Sequence, residues 1–576
     1  MKFNKLNELR KQFDQHKLDG YIIPKNDEFF GEYVIKPNDR LKYISSFTGS
    51  AGISVILKKK AYLFVDGRYT IQADIESGKQ FSVIEIHKKK PNSILSKNKQ
   101  KLKLGYDPKI CNENILLNNF KNNKIDLIPV KKNLIDIIWK NKPKTIFKKF
   151  YIIKSKDVGQ GHRDKIKLVV DFLKRKKINN IFISAPENIA WLLNIRGYDS
   201  KFSPIPNCQA ILNANKRISL VVDKRKINKN FLNYFKNCLT IVDVNKVENY
   251  FNILDKNETF SIDKFTCSIF YKNIIEKKFR FFENIDPIYF FKASKNNTEI
   301  KNMIKSHKED GVALTKFIYW LKKNVGKKNI SELDAETRLE KFRKKNKNYI
   351  FPSFNTIAGS GPNGAIVHYR ADKKSNRLIK KNDIFLCDSG GQYKYGTTDV
   401  TRTLCFSKQK KEIKNIFTMV LKGHIGVATF KLNNNTCGHN IDKVARAPLK
   451  SKGKDYSHGT GHGVGYYLNV HEGPHSISKY NMVKFSEGMI VSNEPGYYKK
   501  NNFGIRIENL IYVKKSNKKL SFENLTLAPI DKDLINFELL NNKEVDYLKK
   551  YNKKIYIELS PFLNKQEKIW LKSFVE

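Results

Sequence analysis

The chain has 576 residues, far beyond the roughly 250–300 at which a single hydrophobic core stops growing, so two to four domains are expected. With 40% hydrophobic and 12% aromatic residues it is neither disordered, collagen-like nor a disulfide scaffold. Its formal charge of +53 would suit a polyanion partner, yet only 16 of the 109 basic residues are arginine and the lysines are spread along the whole chain. No zinc-finger spacing or RNA-reading aromatic motif occurs, so the charge reads as a solvated lysine surface with no specific nucleic acid partner.

Seven cysteines without a CxxC pair argue against a disulfide framework and a cysteine-ligated zinc site, and fit a reducing compartment. The first ten residues lack the apolar core of a signal peptide, and no run of 18 apolar residues occurs. A cytoplasmic protein without a membrane partner is expected.

An amphipathic helix through about Lys17 opens the chain, followed by short apolar runs at 21–24, 53–57, 62–65 and 83–86 separated by turns. That alternation predicts an α/β unit. From about Ser155 a polar stretch leads into a helix near 166–174 and strands at 181–184, 210–212 and 218–222. This looks like a second copy of the same kind of domain, without a strict sequence repeat.

Near Lys292 the character changes, because Ile300, Met303, Ile304, Leu314, Phe317, Ile318 and Leu321 predict a helix from about Asn297 to Val325. A third domain begins there, and 7 of the chain's 11 histidines lie in it between His368 and His475. From about Lys515 a lysine-rich tail ends in helical patterns at 544–551 and 565–574, expected to pack on the third domain.

Two motif matches fail on physical grounds. The string at 359–364 matches GxGxxG, but Pro362 breaks the loop and 365–369 reads as a strand, whereas a pyrophosphate needs a helix N-terminus. His471 and His475 match HExxH, but Gly473 and Pro474 between them preclude the helix that would bring both onto one metal. His424, His439 and His475 read as surface or ordinary hydrogen-bonding histidines.

The stretch 383–404 reads as two strands joined by a hairpin, with a carboxylate on each, Asp388 and Asp399, able to face the same side. Next, His458-Gly-Thr-Gly-His462-Gly-Val-Gly excludes a stable helix but allows close backbone approach. His471, Glu494 before a Pro-Gly turn, and a strand at 503–509 carrying Arg506 and Glu508 on one face complete the set. Four carboxylates cannot share a pocket uncompensated. Two divalent cations about 3.5–4 Å apart would compensate them and hold a water as hydroxide, which predicts metal-assisted hydrolysis. Oxygen ligands with one imidazole favour Mn, with Co and Zn also able to use the set.

The strings DSGGQYKYGTTDVTRT (388–403), HGTGHGVGYYLNVHEGP (458–474), SNEPGYY (492–498) and FGIRIEN (503–509) resemble those of Xaa-Pro aminopeptidases, of the pita-bread metallopeptidase superfamily. The resemblance extends to YIIP at 21–24, FTGSAG at 47–52, DGRY at 66–69 and LTLAPI at 525–530, and so covers the chain. It is most similar to the three-domain cytosolic form. That implies an α/β (α+β) architecture with creatinase-like domains at 1–147 and 148–291, then a pita-bread catalytic domain at 292–576 with an extension at 516–576.

The resemblance implies Asp388, Asp399, His462, Glu494 and Glu508 as metal ligands, Asp399 and Glu508 bridging. It makes Glu494 also the base acting on a bridging water, His471 the oxyanion contact and His458 an assisting partner. His368, Arg506, Tyr498 and Val470 would bind substrate, a short peptide with proline second, and a homodimer is implied. The nearest alternative is prolidase, restricted to dipeptides, against which the three-domain length and the tail argue. Methionine aminopeptidase is disfavoured by the two preceding α/β domains. A catalytically silent peptide- or nucleic-acid-binding homologue is disfavoured because all five ligand positions hold competent residues.

Overall fold

The computed structural model describes residues 4–576 and divides into two compact units. One comprises the chain up to Ser155 together with Gln160–Ile288, and the other Lys156–Gly159 with Tyr289–Glu576.

The first unit opens with the helix Lys5–Gln15, whose Asn4 side chain caps the amides of Leu6 and Asn7 and whose Leu6, Leu9 and Phe13 are buried at helical spacing. Its six-stranded sheet runs in the order Ser82–Glu85, Ala61–Val65, Ile53–Leu57, Gly20–Pro24, Leu102–Tyr106, Ile125–Pro129. A second sheet runs Leu239–Asp243, Ile218–Val222, Gln209–Asn213, Asn180–Ile183, Thr259–Ile262, Arg280–Glu283. In both, the strand earliest in the chain, Gly20–Pro24 or Asn180–Ile183, pairs antiparallel with Ile53–Leu57 or Gln209–Asn213 and parallel with Leu102–Tyr106 or Thr259–Ile262, and the outermost pair at each edge is parallel. The second copy anticipated from the sequence is therefore a repeat of topology, carried by different side chains.

In the second unit the helix Asn297–Asn324 starts from a capping box between Asn296 and Glu299. Its buried Leu314, Phe317, Ile318 and Leu321 pack with Phe385, Cys387, Val400 and Leu404 of an antiparallel sheet ordered Ile357–Ser360, Ile384–Ser389, Val400–Cys405. A five-stranded sheet runs Glu472–Ile477, Gly461–Gly463, Ile490–Asn493, Asn509–Ser516, Lys519–Asn524. The terminal helices Asn542–Leu559 and Lys565–Val575 bury Leu548, Tyr551, Ile555, Leu559 and Leu571 in one core with Phe503, Ile505, Ile507, Phe417 and Leu421. The short segment Lys156–Gly159 is stitched into this unit, its Asp157 carbonyl accepting from the Tyr466 hydroxyl at 2.6 Å and the Asn302 amide at 2.8 Å.

Three local expectations change. No strand forms at 365–369, because Pro362 opens the 3₁₀ turn Gly361–Ala365 and the buried Glu332 gathers Ser360, Asn363, Tyr369 and Arg377 around its carboxylate. The predicted strand at 503–509 is two, Phe503–Arg506 and Asn509–Ser516, in different sheets, with Ile507 and Glu508 at the crossing. The loop of the 383–404 hairpin makes its own sheet from Gly391–Tyr393, Gly396–Thr397 and Tyr349–Pro352. All seven cysteines are free, and among the described residues no helix is long and apolar enough to cross a membrane.

Candidate metal centre

Along Ile384–Ser389 the side chains alternate, so Phe385 and Cys387 facing the helix leave Asp388 on the opposite face. Antiparallel pairing sets Asp388 across from Thr401, two residues beyond Asp399. On the neighbouring sheet, a Cβ on Gly461 would meet the Ser492 carbonyl at 1.8 Å, and one on Gly463 the Glu472 carbonyl at 2.2 Å. The backbone around His462 fits between its neighbours only because both flanking residues are glycine.

The His462 Nδ1 faces the Gly463 carbonyl at 3.0 Å, and since a carbonyl can only accept, Nδ1 carries the proton. That turns Nε2 towards Asp399 Oδ2 at 3.4 Å and Glu494 Oε1 at 3.6 Å. Glu508 Oε2 accepts from the Thr401 hydroxyl at 2.7 Å. Donor atoms of Asp399, His462 and Glu508 all lie within 4.8 Å of one another.

Burial first, then Asp399 and Glu494 nearby, pushes the Asp388 carboxyl up to about 7 despite the opposing Arg506. Burial likewise raises Glu494 and, together with three neighbouring carboxylates, lifts Glu508 well above the ordinary range. Burial opposes charge on His462, but Asp399 and Glu494 outweigh it and raise it to about 9.

Arg506 is bonded into this cluster through the Asp388 carboxylate. It donates from Nη2 to Asp388 Oδ2 at 2.5 Å, from Nε to the Thr401 hydroxyl at 3.0 Å and from Nη1 to the Tyr498 hydroxyl at 2.7 Å. The other oxygen of Asp388 is buried without a hydrogen bond. An orphaned carboxylate oxygen, three clustered donors and repelling carboxylates are what a divalent cation site of hard oxygen ligands requires.

Around this core, His458 donates from Nδ1 to the Gly459 carbonyl at 2.7 Å and accepts at Nε2 from the Tyr498 hydroxyl at 2.9 Å. The exposed His471 ring packs edge-on against His462 at 4.3 Å between centroids, and Val470 beside it is fully buried. His368 is half-buried in the turn that follows Gly361–Ala365, one residue from Tyr369.

The rejected motifs stay outside. His475 lies in the strand Glu472–Ile477, its Nε2 on the Ile490 carbonyl at 2.7 Å. No helix follows the 359–364 loop. His424 and His439 each bond a backbone carbonyl through Nδ1, that of Asn493 at 3.0 Å and that of Lys479 at 2.6 Å.

Sequence reasoning missed Thr401 and Ser492. Thr401 links Arg506 to Glu508, and the Ser492 hydroxyl donates to Glu494 Oε1 at 3.0 Å while accepting from the His462 amide at 2.9 Å. Both lie two residues from a site carboxylate along extended chain, a spacing that could have identified them.

Metallopeptidase family M24 matches residues 301–515, its C-terminal region 518–575, and the Creatinase/Prolidase N-terminal domain matches 5–130 and again 141–299. The chain is 35% identical over 588 residues to a probable Xaa-Pro aminopeptidase P of Laccaria bicolor, covering 97% of this chain and 90% of that one. It is 34% identical over 611 residues to Xaa-Pro aminopeptidase 1 of Dictyostelium discoideum, covering 99% and 96%.

Among solved structures, the X-prolyl aminopeptidase of Caenorhabditis elegans, described as a cytosolic enzyme with a di-nuclear active site, superposes with a TM-score of 0.94 at 28% identity, over 99% of both chains. A prolidase of Pyrococcus horikoshii shares the fold at a TM-score of 0.52 and 22% identity, over 64% of this chain and 99% of its own. With two creatinase-type domains, a catalytic domain and its C-terminal region all matched nearly end to end, the chain belongs to the Xaa-Pro aminopeptidases of metallopeptidase family M24.

Proposed function

We propose that this protein removes the first residue from short peptides whose second residue is proline. The observation that carries the reading is the convergence of Asp388, Asp399, Glu494 and Glu508 with His462 and the Arg506 guanidinium, beside an exposed histidine and a buried valine. Asp388, Asp399, His462, Glu494 and Glu508 would hold two divalent ions, Mn by the hardness of the donors. When bound, such ions polarise water and the scissile carbonyl.

The chain's own residues do the rest. Glu494, raised by burial, takes the proton of the attacking water on its carboxylate and returns it to the departing nitrogen. That return matters because a proline nitrogen has no proton of its own before cleavage. His471 donates to the oxygen that becomes negative in the tetrahedral state, and His458 holds the Tyr498 hydroxyl. Arg506 offsets one carboxylate charge and fixes Tyr498 beside the proline ring, with Val470 as apolar wall and His368 orienting the substrate. We further propose a cytoplasmic homodimer, for which the exposed Ile557, Phe562 and Ile569 of the terminal segment offer apolar surface.

The test is to incubate metal-stripped protein, with and without Mn²⁺, with Arg-Pro-Pro, Arg-Ala-Pro and Gly-Pro, and weigh the products. Mn-dependent release of free Arg from Arg-Pro-Pro alone is expected. A Glu494→Gln variant should lose at least about 100-fold in kcat, as general-base removal does. Cleavage confined to Gly-Pro would identify a prolidase instead, and cleavage of none would sink the peptidase reading.

A further inference from the structure

Directly behind the site histidines lie three buried charges that the reaction does not use. The strand Gly461–Gly463 pairs with Glu472–Ile477 so that Gly463 stands opposite Glu472. His462 and His471 each immediately precede one of these two residues. Successive residues of extended chain point to opposite faces, so Glu472 points away from the site.

There the Glu472 carboxylate, 2% exposed, accepts from Lys295 Nζ at 2.6 Å and Lys292 Nζ at 3.0 Å, side chains exposed by 0% and 1%. Lys292 lies in the last turn of the helix Ile288–Ala293, and Lys295 precedes the cap of Asn297–Asn324, with its amide on the Gly488 carbonyl at 3.0 Å. The loop that carries Val470 and His471 folds onto the same carboxylate, since a Cβ on Gly465 would sit 3.0 Å from Glu472 Oε2.

Two ammoniums sharing one carboxylate in a dry interior are poor stabilisers, because apolar residues of the same volume commonly do as well or better. What such a cluster supplies is location. Glu472 can satisfy both ammoniums from one place only, and both are fixed by rigid neighbours.

We propose that the Lys292–Glu472–Lys295 cluster is a positioning device that fixes the backbone at Glu472 and thereby holds His471 over His462, a role that rests on the peptidase reading of the site. His471 stands at the edge of the sheet, its ring edge-on to His462 at 4.3 Å, and its backbone runs directly into the residue that the two ammoniums hold. A merely structural cluster would change stability and leave the turnover of folded enzyme alone.

In the metal-loaded enzyme, Glu472→Gln and Lys295→Met should each lower kcat on Arg-Pro-Pro about 10- to 100-fold, the usual effect of partners that orient site groups. KM should stay within about threefold, metal content should match wild type, and Glu472→Asp should recover part of the rate. In the metal-free protein, hydrogen exchange should rise across 464–472 and stay unchanged in Asn509–Ser516.

A folded variant with kcat within about threefold of wild type, or a loss confined to KM, overturns the proposal. So does unchanged exchange at 464–472. Should Glu472→Gln not fold, Lys295→Met decides, since it leaves a neutral Lys292–Glu472 pair. Wild-type protein that releases no Arg would sink the peptidase reading, and the exchange experiment would then judge the positioning role by itself.

Discussion

At Asp388 one buried carboxylate faces opposed demands, with one oxygen held by Arg506 and the other left bare among like charges. Its folded-state pKa, about 7, lies above the ordinary value, so the stability it contributes is fully present in acid and is lost as pH rises through about 7. Glu494 and Glu508 shift in the same direction. A bound cation reverses this, because it needs the deprotonated ligands and displaces their protons. Saturating Mn²⁺ should therefore raise the melting temperature of metal-stripped protein by several degrees more at pH 8 than at pH 5. Equal increments by differential scanning calorimetry at both would contradict the assignment of these carboxylates. At this scale the charged residues were legible because their types and spacing state their chemistry, as with Asp388 and Asp399. Thr401 and Ser492 were not, since a hydroxyl in a strand announces nothing until the facing strand is known.

Elements are held to the site by residues outside the reaction. Arg402, fully buried, donates to the Glu508, Pro529 and Ala528 carbonyls, to Asn509 Oδ1 and to the Tyr551 hydroxyl at 2.6–3.1 Å, with no carboxylate among these acceptors. It ties the strand Val400–Cys405 to the crossing that carries Glu508 and to the helix Asn542–Leu559. Arg402→Met would leave several buried acceptors unpaired and should lower stability by about 3–5 kcal/mol in urea unfolding of metal-free protein. A loss under about 1 kcal/mol would mean that the network relaxes around its absence. Periodicity reveals such elements where it is unbroken, as from Leu314 to Leu321. It misled at 365–369 and ran through the break at 507–508, because a proline turn around Glu332 and a change of sheet are decided by partners distant in sequence.

Over the whole molecule, the first two domains repeat one strand order and one set of strand directions, which patterning suggested and only the register could establish. The terminal segment is more than an appendage, since Tyr551, Ile555 and Leu559 share a core with Ile505 and Ile507, the residues flanking Arg506. Removing residues 541–576 would expose that core. The truncated chain should aggregate or melt without a cooperative transition, whereas a soluble truncated chain with wild-type metal affinity would show the segment to be dispensable. The stitch at Lys156–Gly159 has a consequence for biosynthesis. Asp157 leaves the ribosome 309 residues before the Tyr466 that grips it, so one anchor of the loop bearing His471 is made early and waits for its counterpart. A nascent fragment released before Tyr466 is made therefore carries the anchor without the loop residue that grips it.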